Sequence, residues 1–305
     1  MDPTPGLILK AQSGFFTVRT SAGDFTCQLR GKLKKERLAI DLAAIGDQVT
    51  ISTQPDGTGM IESIAPRRTV LMRGTPHGSK RVDRSKEKGQ VLIANPDQAV
   101  FVFACANPAP HLRMLDRFII LAEVMHVPAV ICANKADLIT PQAARNIFDL
   151  YLQIGYHVIY TSASTGQGVE EFKDRLRGRL SVLAGPSGVG KSSLLNAVQP
   201  GLGIKTRSVS EATTKGRHTT VHSELLPLDI GGFVADTPGI RALALWDVEP
   251  DELDAYFVEI RPLVSECEFN DCTHLNESGC AVRKAVVNGA ISESRYNSYC
   301  MIRKG

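Results

Sequence analysis

Residues 185–192 limit the possible folds of this chain more than any other feature. Gly185, Pro186, Ser187, Gly188, Val189, Gly190, Lys191 and Ser192 fit G-x-x-x-x-G-K-[ST] at every position. An apolar run (180–184) precedes them, and a helix-forming stretch (191–198) follows, opening Lys191-Ser192-Ser193. Strand, glycine loop and helix in that order is the setting in which this pattern cradles phosphates. Glycines let the backbone close around phosphate oxygens in conformations that a Cβ obstructs. Loop amides and the helix N-terminus supply positive potential. Lys191 is expected to reach the β- and γ-phosphates and Ser192 to hold Mg²⁺. The pattern implies a nucleotide without choosing ATP or GTP.

The choice comes from Asn134, Lys135, Ala136 and Asp137, an N-K-x-D that follows an apolar run (129–133) and precedes a helical stretch. Guanine presents N1–H and N2–H₂ donors on one edge, and an ionised carboxylate only accepts. Asp137 can accept from both, whereas adenine places an acceptor there. Asn134 can bridge base and loops, and the Lys135 stem can cover the ring. Further on, Thr161, Ser162 and Ala163 end another strand-like run. The Ala163 amide is placed to donate to guanine O6.

Two switch-like segments complete the set. Asp236-Thr-Pro-Gly239 ends an apolar run, where Asp236 can hold Mg²⁺ through water and the Gly239 amide can sense the γ-phosphate. Upstream, Lys215-Gly-Arg-His-Thr-Thr220 offers Thr219 and Thr220 as Mg²⁺ ligands, with either eligible. Such segments are ordered by the γ-phosphate and released on hydrolysis. An ordinary GTPase presents phosphate loop, switch threonine, D-x-x-G, N-K-x-D and S-A in that order. Here N-K-x-D and S-A come first, which is one cyclic rotation. A sheet whose old termini lie close together tolerates it.

The flanking sequence adds domains. Residues 1–66 read as five short strands (7–10, 15–19, 25–29, 48–52, 60–64) separated by turn residues. They predict a small β-barrel, with an OB-like barrel favoured over an SH3-like one. Residues 67–90 read as a basic linker, with eight Lys/Arg and two acids in 67–88. That cluster suits a polyanion such as RNA, or a solvated linker. Residues 91–245 alternate strand-like and helical runs, the mark of βαβ units and a mostly parallel sheet. Residues 246–305 turn acidic, with six Lys/Arg against eleven Asp/Glu from 247 onward, and helix-forming. The predicted fold class is therefore multidomain: an OB-like β-barrel, a circularly permuted P-loop α/β GTPase domain and a helical zinc-binding domain.

The zinc expectation rests on Cys267, Cys272, His274 and Cys280, crowded among turn residues. Three thiolates and an imidazole make a closed set suited to structural Zn²⁺. The other cysteines, Cys27, Cys105, Cys132 and Cys300, are scattered, so no disulfide framework is expected. The longest apolar run (99–106) is eight residues, far below the ~20 needed to span a bilayer. The N-terminus shows no basic start followed by an apolar stretch, and a cytoplasmic protein is expected.

Taken with Gly46-Asp-x-Val49, Ala94-Asn-x-Asp97, Gly216-Arg-His-Thr-Thr220 and the Cys/His motif, these features resemble the ribosome small-subunit-dependent GTPase A family of circularly permuted GTPases. The resemblance covers nearly the whole chain. It implies a monomer that binds GTP and GDP and contacts the small ribosomal subunit and its 16S-type rRNA. It also implies a role in late subunit maturation, with hydrolysis stimulated by the subunit. Where many GTPases carry a water-orienting Gln after D-x-x-G, this chain has Ile240. His218 resembles the mobile histidine given that job, making it the candidate catalytic residue. The alternatives are an RNA-binding assembly factor using GTP as a conformational ligand, and an ATP-dependent enzyme, with which Asp137 conflicts. The motif order also predicts that the second switch runs through residues 240–246 into the zinc domain, which would then change orientation with nucleotide state.

Overall fold

The computed structural model describes residues 3–31, 43–73, 90–202, 224–236 and 248–304. Five strands, β1 (Thr4–Gln12), β2 (Phe15–Thr20), β3 (Gly23–Leu29), β4 (Gln48–Thr53) and β5 (Thr58–Ile64), close a barrel in the order β1-β2-β3-β5-β4. All pairings are antiparallel except β3 with β5, the five-stranded Greek-key arrangement of an OB fold. Period-two alternation turns Val18, Cys27, Leu29, Val49 and Ile51 inward. A bulge between Ile8 and Lys10 breaks the β1–β2 register. As a result Ile8 fills the barrel while Leu9 joins the neighbouring domain's core.

The barrel is seated on the next domain by residues that sequence reading treats only as family marks. At Gly46 (φ +87°) a Cβ would lie 2.1 Å from the Ala94 carbonyl oxygen, so the two backbones meet only because this residue is glycine. Buried Asp47 takes a two-pronged ion pair from Arg67, both contacts 2.7 Å. Asn95 donates to the Gly46 carbonyl (3.1 Å) and accepts from the Arg68 amide (2.8 Å). The segment read as a basic linker also contributes β6 (Val70–Arg73), which pairs antiparallel with β7 (Gln90–Ala94). Leu71 and Ile93 are buried in the adjoining core, and this apolar anchorage overrides the segment's basic composition.

Six further strands form one sheet: β8 (Gln98–Ala104), β9 (Ala129–Asn134), β10 (His157–Tyr160), β11 (Leu180–Ala184), β12 (Leu225–Pro227) and β13 (Phe233–Asp236). Their spatial order is β10-β9-β8-β11-β13-β12, with only the β12–β13 pair antiparallel. Helices α1 (Leu112–Val124) and α2 (Pro141–Gln153) cover one face, packed on Phe101, Phe103 and Ile131. Helices α3 (Val169–Leu176) and α4 (Lys191–Val198) cover the other, packed on Val100, Val102 and Cys132. Helix α3 stops at Leu176, because Gly178 (φ +67°) adopts a left-handed conformation just beyond it.

The C-terminal domain has two 3₁₀ stretches (Pro250–Tyr256 and Arg261–Glu266), then α5 (Ala281–Val287) and α6 (Glu293–Lys304). Its core of Leu253, Phe257, Ile260, Val282 and Tyr299 also takes in Ile120 from α1. Beside it the Arg295 guanidinium bonds Asp116 of α1 (2.6 Å) and forks onto Glu259 (2.6 and 3.1 Å). Tyr151 of α2 donates to the same Asp116 oxygen at 2.8 Å. Arg295 also lies over the Phe257 ring, 4.5 Å from its centroid.

Candidate nucleotide site and metal centre

The phosphate loop leaves β11 and enters α4 with Gly185, Gly188 and Gly190 all at positive φ. A Cβ at Gly185 would sit 2.1 Å from the Val102 carbonyl oxygen, and one at Gly190 2.5 Å from the Asn134 amide nitrogen. The loop therefore lies against both β8 and the base-reading segment. Lys191 is folded back, its Nζ donating to the Gly185 and Pro186 carbonyls at 2.8 Å each. Pro186, Ser187 and Val189 complete the loop, with Val189 buried. Ser192 and Ser193 open α4.

Asn134 ends β9 and donates to the Val189 carbonyl at 2.8 Å. That one bond joins the base-reading loop to the phosphate loop. Its amide orientation is fixed by Thr161, whose buried hydroxyl donates to Asn134 Oδ1 at 3.0 Å. Lys135, in a left-handed conformation (φ +59°), extends its ammonium to the Asn107 carbonyl, and Ala136 packs beneath. Asp137 is exposed. Hydrogen bonds, first from the Ser162 hydroxyl, hold its carboxyl below the usual carboxylate range. Ser164 adds a further donor at 3.1 Å. An ionised, acceptor-only group is what the guanine edge requires. Ala163 follows Ser162 in the turn after β10. Asp236 ends β13, where the register sets it beside Leu183 of β11.

Predicted base and phosphate residues thus converge at the C-terminal ends of neighbouring parallel strands, where open α/β sheets bind ligands. His218, Thr219, Thr220 and Gly239 lie outside the described residues, as do 74–88 of the basic segment and 240–246 of the join. Sequence reading gave no role to Thr161, Ser164 or Asn107. Their contacts span 27 or 28 residues, so no local pattern announces them.

The second site is in the C-terminal domain. Ligand atoms of Cys267, Cys272, His274 and Cys280 all lie within 4.8 Å of one another. His274 Nδ1 is 3.5 Å from the sulfurs of Cys267 and Cys280, which are 4.0 Å apart. A tetrahedron with Zn–S near 2.3 Å and Zn–N near 2.0–2.1 Å has edges of about 3.8 Å (S···S) and 3.5 Å (S···N). The donor set and its spacing fit zinc. His274 turns its other nitrogen to Asp254, 3.3 Å away, the usual way of orienting a ligating imidazole. Tyr296 and Tyr299 hydroxyls bond the carbonyls of His274 (2.7 Å) and Thr273 (3.0 Å). Although burial opposes it, Glu277 is held down at about 2 by bonds from the Thr273 hydroxyl and neighbouring amides. Burial also pushes the Cys272 thiol up to about 12, so a thiolate there needs a cation at close range.

Residues 64–246 match the family model of the RsgA GTPase, and residues 5–61 that of the RsgA N-terminal domain. Among curated proteins, the small ribosomal subunit biogenesis GTPase RsgA of Gemmatimonas aurantiaca is 46% identical over 303 residues, covering 98% of this chain and 96% of its own length. The protein of the same name from Moorella thermoacetica is 44% identical over 294 residues, covering 96% and 94%. Among solved structures, YjeQ from Thermotoga maritima superposes with a TM-score of 0.79 at 35% identity, covering 99% of this chain and 98% of that one. YloQ, described as a circularly permuted GTPase, gives 0.76 at 33% identity, covering 99% and 94%. Barrel, permuted sheet and cysteine–histidine cluster coincide with matches over nearly the whole length, and the chain belongs to the RsgA GTPase family.

Proposed function

We propose that the protein hydrolyses GTP to GDP and phosphate, and acts in late maturation of the small ribosomal subunit, whose rRNA it contacts and which stimulates turnover. The bond from Asn134 to the Val189 carbonyl carries this reading, because it makes base reader and phosphate loop one assembly. Arriving phosphates draw Lys191 from its two carbonyls onto the β- and γ-oxygens. Ser192 and either Thr219 or Thr220 would hold Mg²⁺, with Asp236 acting through water, and the ion would supply charge neutralisation for the phosphates. Cys267, Cys272, His274 and Cys280 would hold zinc in a structural role.

In this reading the protein is a cytoplasmic monomer with a barrel (1–66), a basic linker (67–90), a GTPase domain (91–245) and a zinc domain (246–305). The Ile240 side chain can neither donate nor accept a hydrogen bond, and His218, which resembles the family's mobile histidine, orients the attacking water. Intrinsic turnover is expected to be slow, and purified small subunits to raise it by at least about tenfold. His218→Ala is expected to remove most of that stimulation while leaving GTP affinity in place. Equal rates with and without subunits would sink the proposal, and full stimulated turnover in the variant would remove His218 from it. Ile240 also favours a second reading, in which GTP acts as a conformational ligand. Subunit affinity that tracks nucleotide state without stimulated turnover would select it.

Asp137→Asn is expected to weaken GTP by about 10–100-fold, the worth of hydrogen bonds to a charged group. Xanthine nucleotides should bind this variant better than GTP, because xanthine replaces the N2 donor with an acceptor. Competition against a fluorescent guanine nucleotide measures both, and an unchanged preference for GTP would contradict the assignment.

A further inference from the structure

Two arginines at the foot of the GTPase sheet stand without a counter-ion among the described residues. Arg175 lies in the last turn of α3 and Arg179 immediately before β11, at the end of that strand remote from the phosphate loop. The fold holds both backbones firmly. Buried Gln98 donates to the Arg175 carbonyl and the Ser181 hydroxyl at 2.8 Å each. The Arg179 carbonyl accepts from the Phe233 amide at 2.9 Å. The Arg179 guanidinium donates to the Arg175 carbonyl at 3.0 Å, which keeps two half-buried cations together. Neither forms an ion pair among the described residues. The acids of α3 are engaged elsewhere: Glu170 with Lys173 (3.6 Å), Asp174 with Arg177 (2.8 Å) and Glu171 with His157 (3.8 Å). Burial, then the field of Arg179, lowers the Arg175 pKa. Arg179 therefore makes the Arg175 charge less favourable, and no carboxylate among the described residues pairs with either arginine.

A third arginine stands near the pair. Asp97 accepts from the Leu180 amide (2.8 Å) with one oxygen and from Arg68 (3.2 Å) with the other. Arg68, with a side chain 69% exposed, thus stands beside the start of β11. It is the second residue of the basic segment 67–88, after Arg67. Arg67 and Arg68 both lie at the seam between barrel and GTPase domain. Guanidinium forks match phosphate oxygens, and a polyanion would supply the missing counter-charge.

We propose that Arg175 and Arg179, together with Arg68, bind backbone phosphates of the small-subunit rRNA at this seam. The inference rests on the rRNA-contacting function proposed above and adds a surface to it, remote from the nucleotide pocket. The competing account is two arginines whose stems merely cover apolar surface.

The experiment measures binding of the full-length protein, loaded with a non-hydrolysable GTP analogue, to purified small subunits across a salt series. R175Q/R179Q is expected to bind on the order of tenfold more weakly at about 100 mM salt and to lower the log K–log salt slope by about 1.5–2. The lysine double variant, R175K/R179K, is expected to keep most of that slope. Melting temperature and nucleotide affinity should match wild type in both. Wild-type affinity and slope in the glutamine variant would overturn the proposal. So would weakened binding with an unchanged slope, or a lowered melting temperature, either of which points to packing. A defect on intact subunits that vanishes on protein-free 16S-type rRNA would assign the arginines to an acidic protein and overturn it too. If the wild-type chain does not bind subunits, the proposed function itself fails and this inference falls with it.

Discussion

Arg295→Met is expected to destabilise the protein by about 3–5 kcal/mol and to detach the C-terminal domain from the GTPase domain. Methionine nearly matches the arginine stem, so packing is largely kept while the charge is removed. Asp116 and Glu259, with side chains 3% and 7% exposed, then lose the cation between them. Burial works against the Arg295 charge, yet the two carboxylates hold it more firmly protonated than a free arginine. The penalty therefore comes from the uncompensated carboxylates. Combining the change with Asp116→Asn and Glu259→Gln is expected to recover most of the loss, since a buried network replaced throughout by neutral groups leaves no stranded charge. Calorimetry checks both variants: the single one should show the C-terminal domain melting separately, the triple a merged transition. A single variant melting with wild type would refute the assignment. The network also bears on the expected path from second switch to zinc domain. Through Asp116 the C-terminal domain is tied to α1, the helix that leads into the base-reading strand. A signal entering at residues 240–246 must either break that tie or carry α1 with it.

Removing the metal is expected to unfold the C-terminal domain while the GTPase domain continues to bind nucleotide. A core of ten buried residues, one borrowed from α1, is small for independent stability. Structural zinc contributes on the order of 10–16 kcal/mol of apparent binding free energy in comparable small sites. Tyr296 and Tyr299 report locally, because their hydroxyls bond the carbonyls of His274 and Thr273 within the metal loop. Chelation or Cys272→Ser should abolish their near-ultraviolet dichroism. Asp254→Asn, which removes only the carboxylate behind His274, should weaken metal about 10–100-fold without unfolding the loaded protein. A chain without zinc by metal analysis, with tyrosine signals indifferent to chelator, would refute the site.

What the sequence revealed was what it encodes at fixed, local spacing. The glycines and lysine of 185–192, the N-K-x-D at 134 and the Cys/His run each form a recognisable pattern within a few residues. Strand and helix periodicity placed most elements to within a few residues of where they lie. The order of the motifs disclosed the permutation. Hidden features depend on residues distant in the chain. The β6 strand sits in a segment whose charge masks Val70 and Leu71, and its partner begins at Gln90. Arg295 meets Asp116 across 179 residues. Gly46, Asp47, Asn95 and Asp97 were visible as family marks, but their purpose, seating the barrel on the sheet, appears only when the backbones meet. Thr161 and Ser164 look like ordinary hydroxyls until the base-reading loop folds against them.

The rotation of the sheet also sets a timetable for synthesis. Strand β8, buried at all seven residues, acquires one neighbour soon, when β9 is made. Its other neighbour, β11, pairs Ser181 with Gln98, 83 residues later. At ~5–20 residues per second the nascent chain carries that apolar strand with an open edge for about 4–16 s. During this interval the base-reading half of the sheet is complete to Tyr160, but the phosphate loop does not yet exist. Guanine nucleotide cannot stabilise the half-made sheet. Protection of this edge therefore falls to the ribosome exit surface and to chaperones, and a pause in translation before residue 180 would lengthen the exposure.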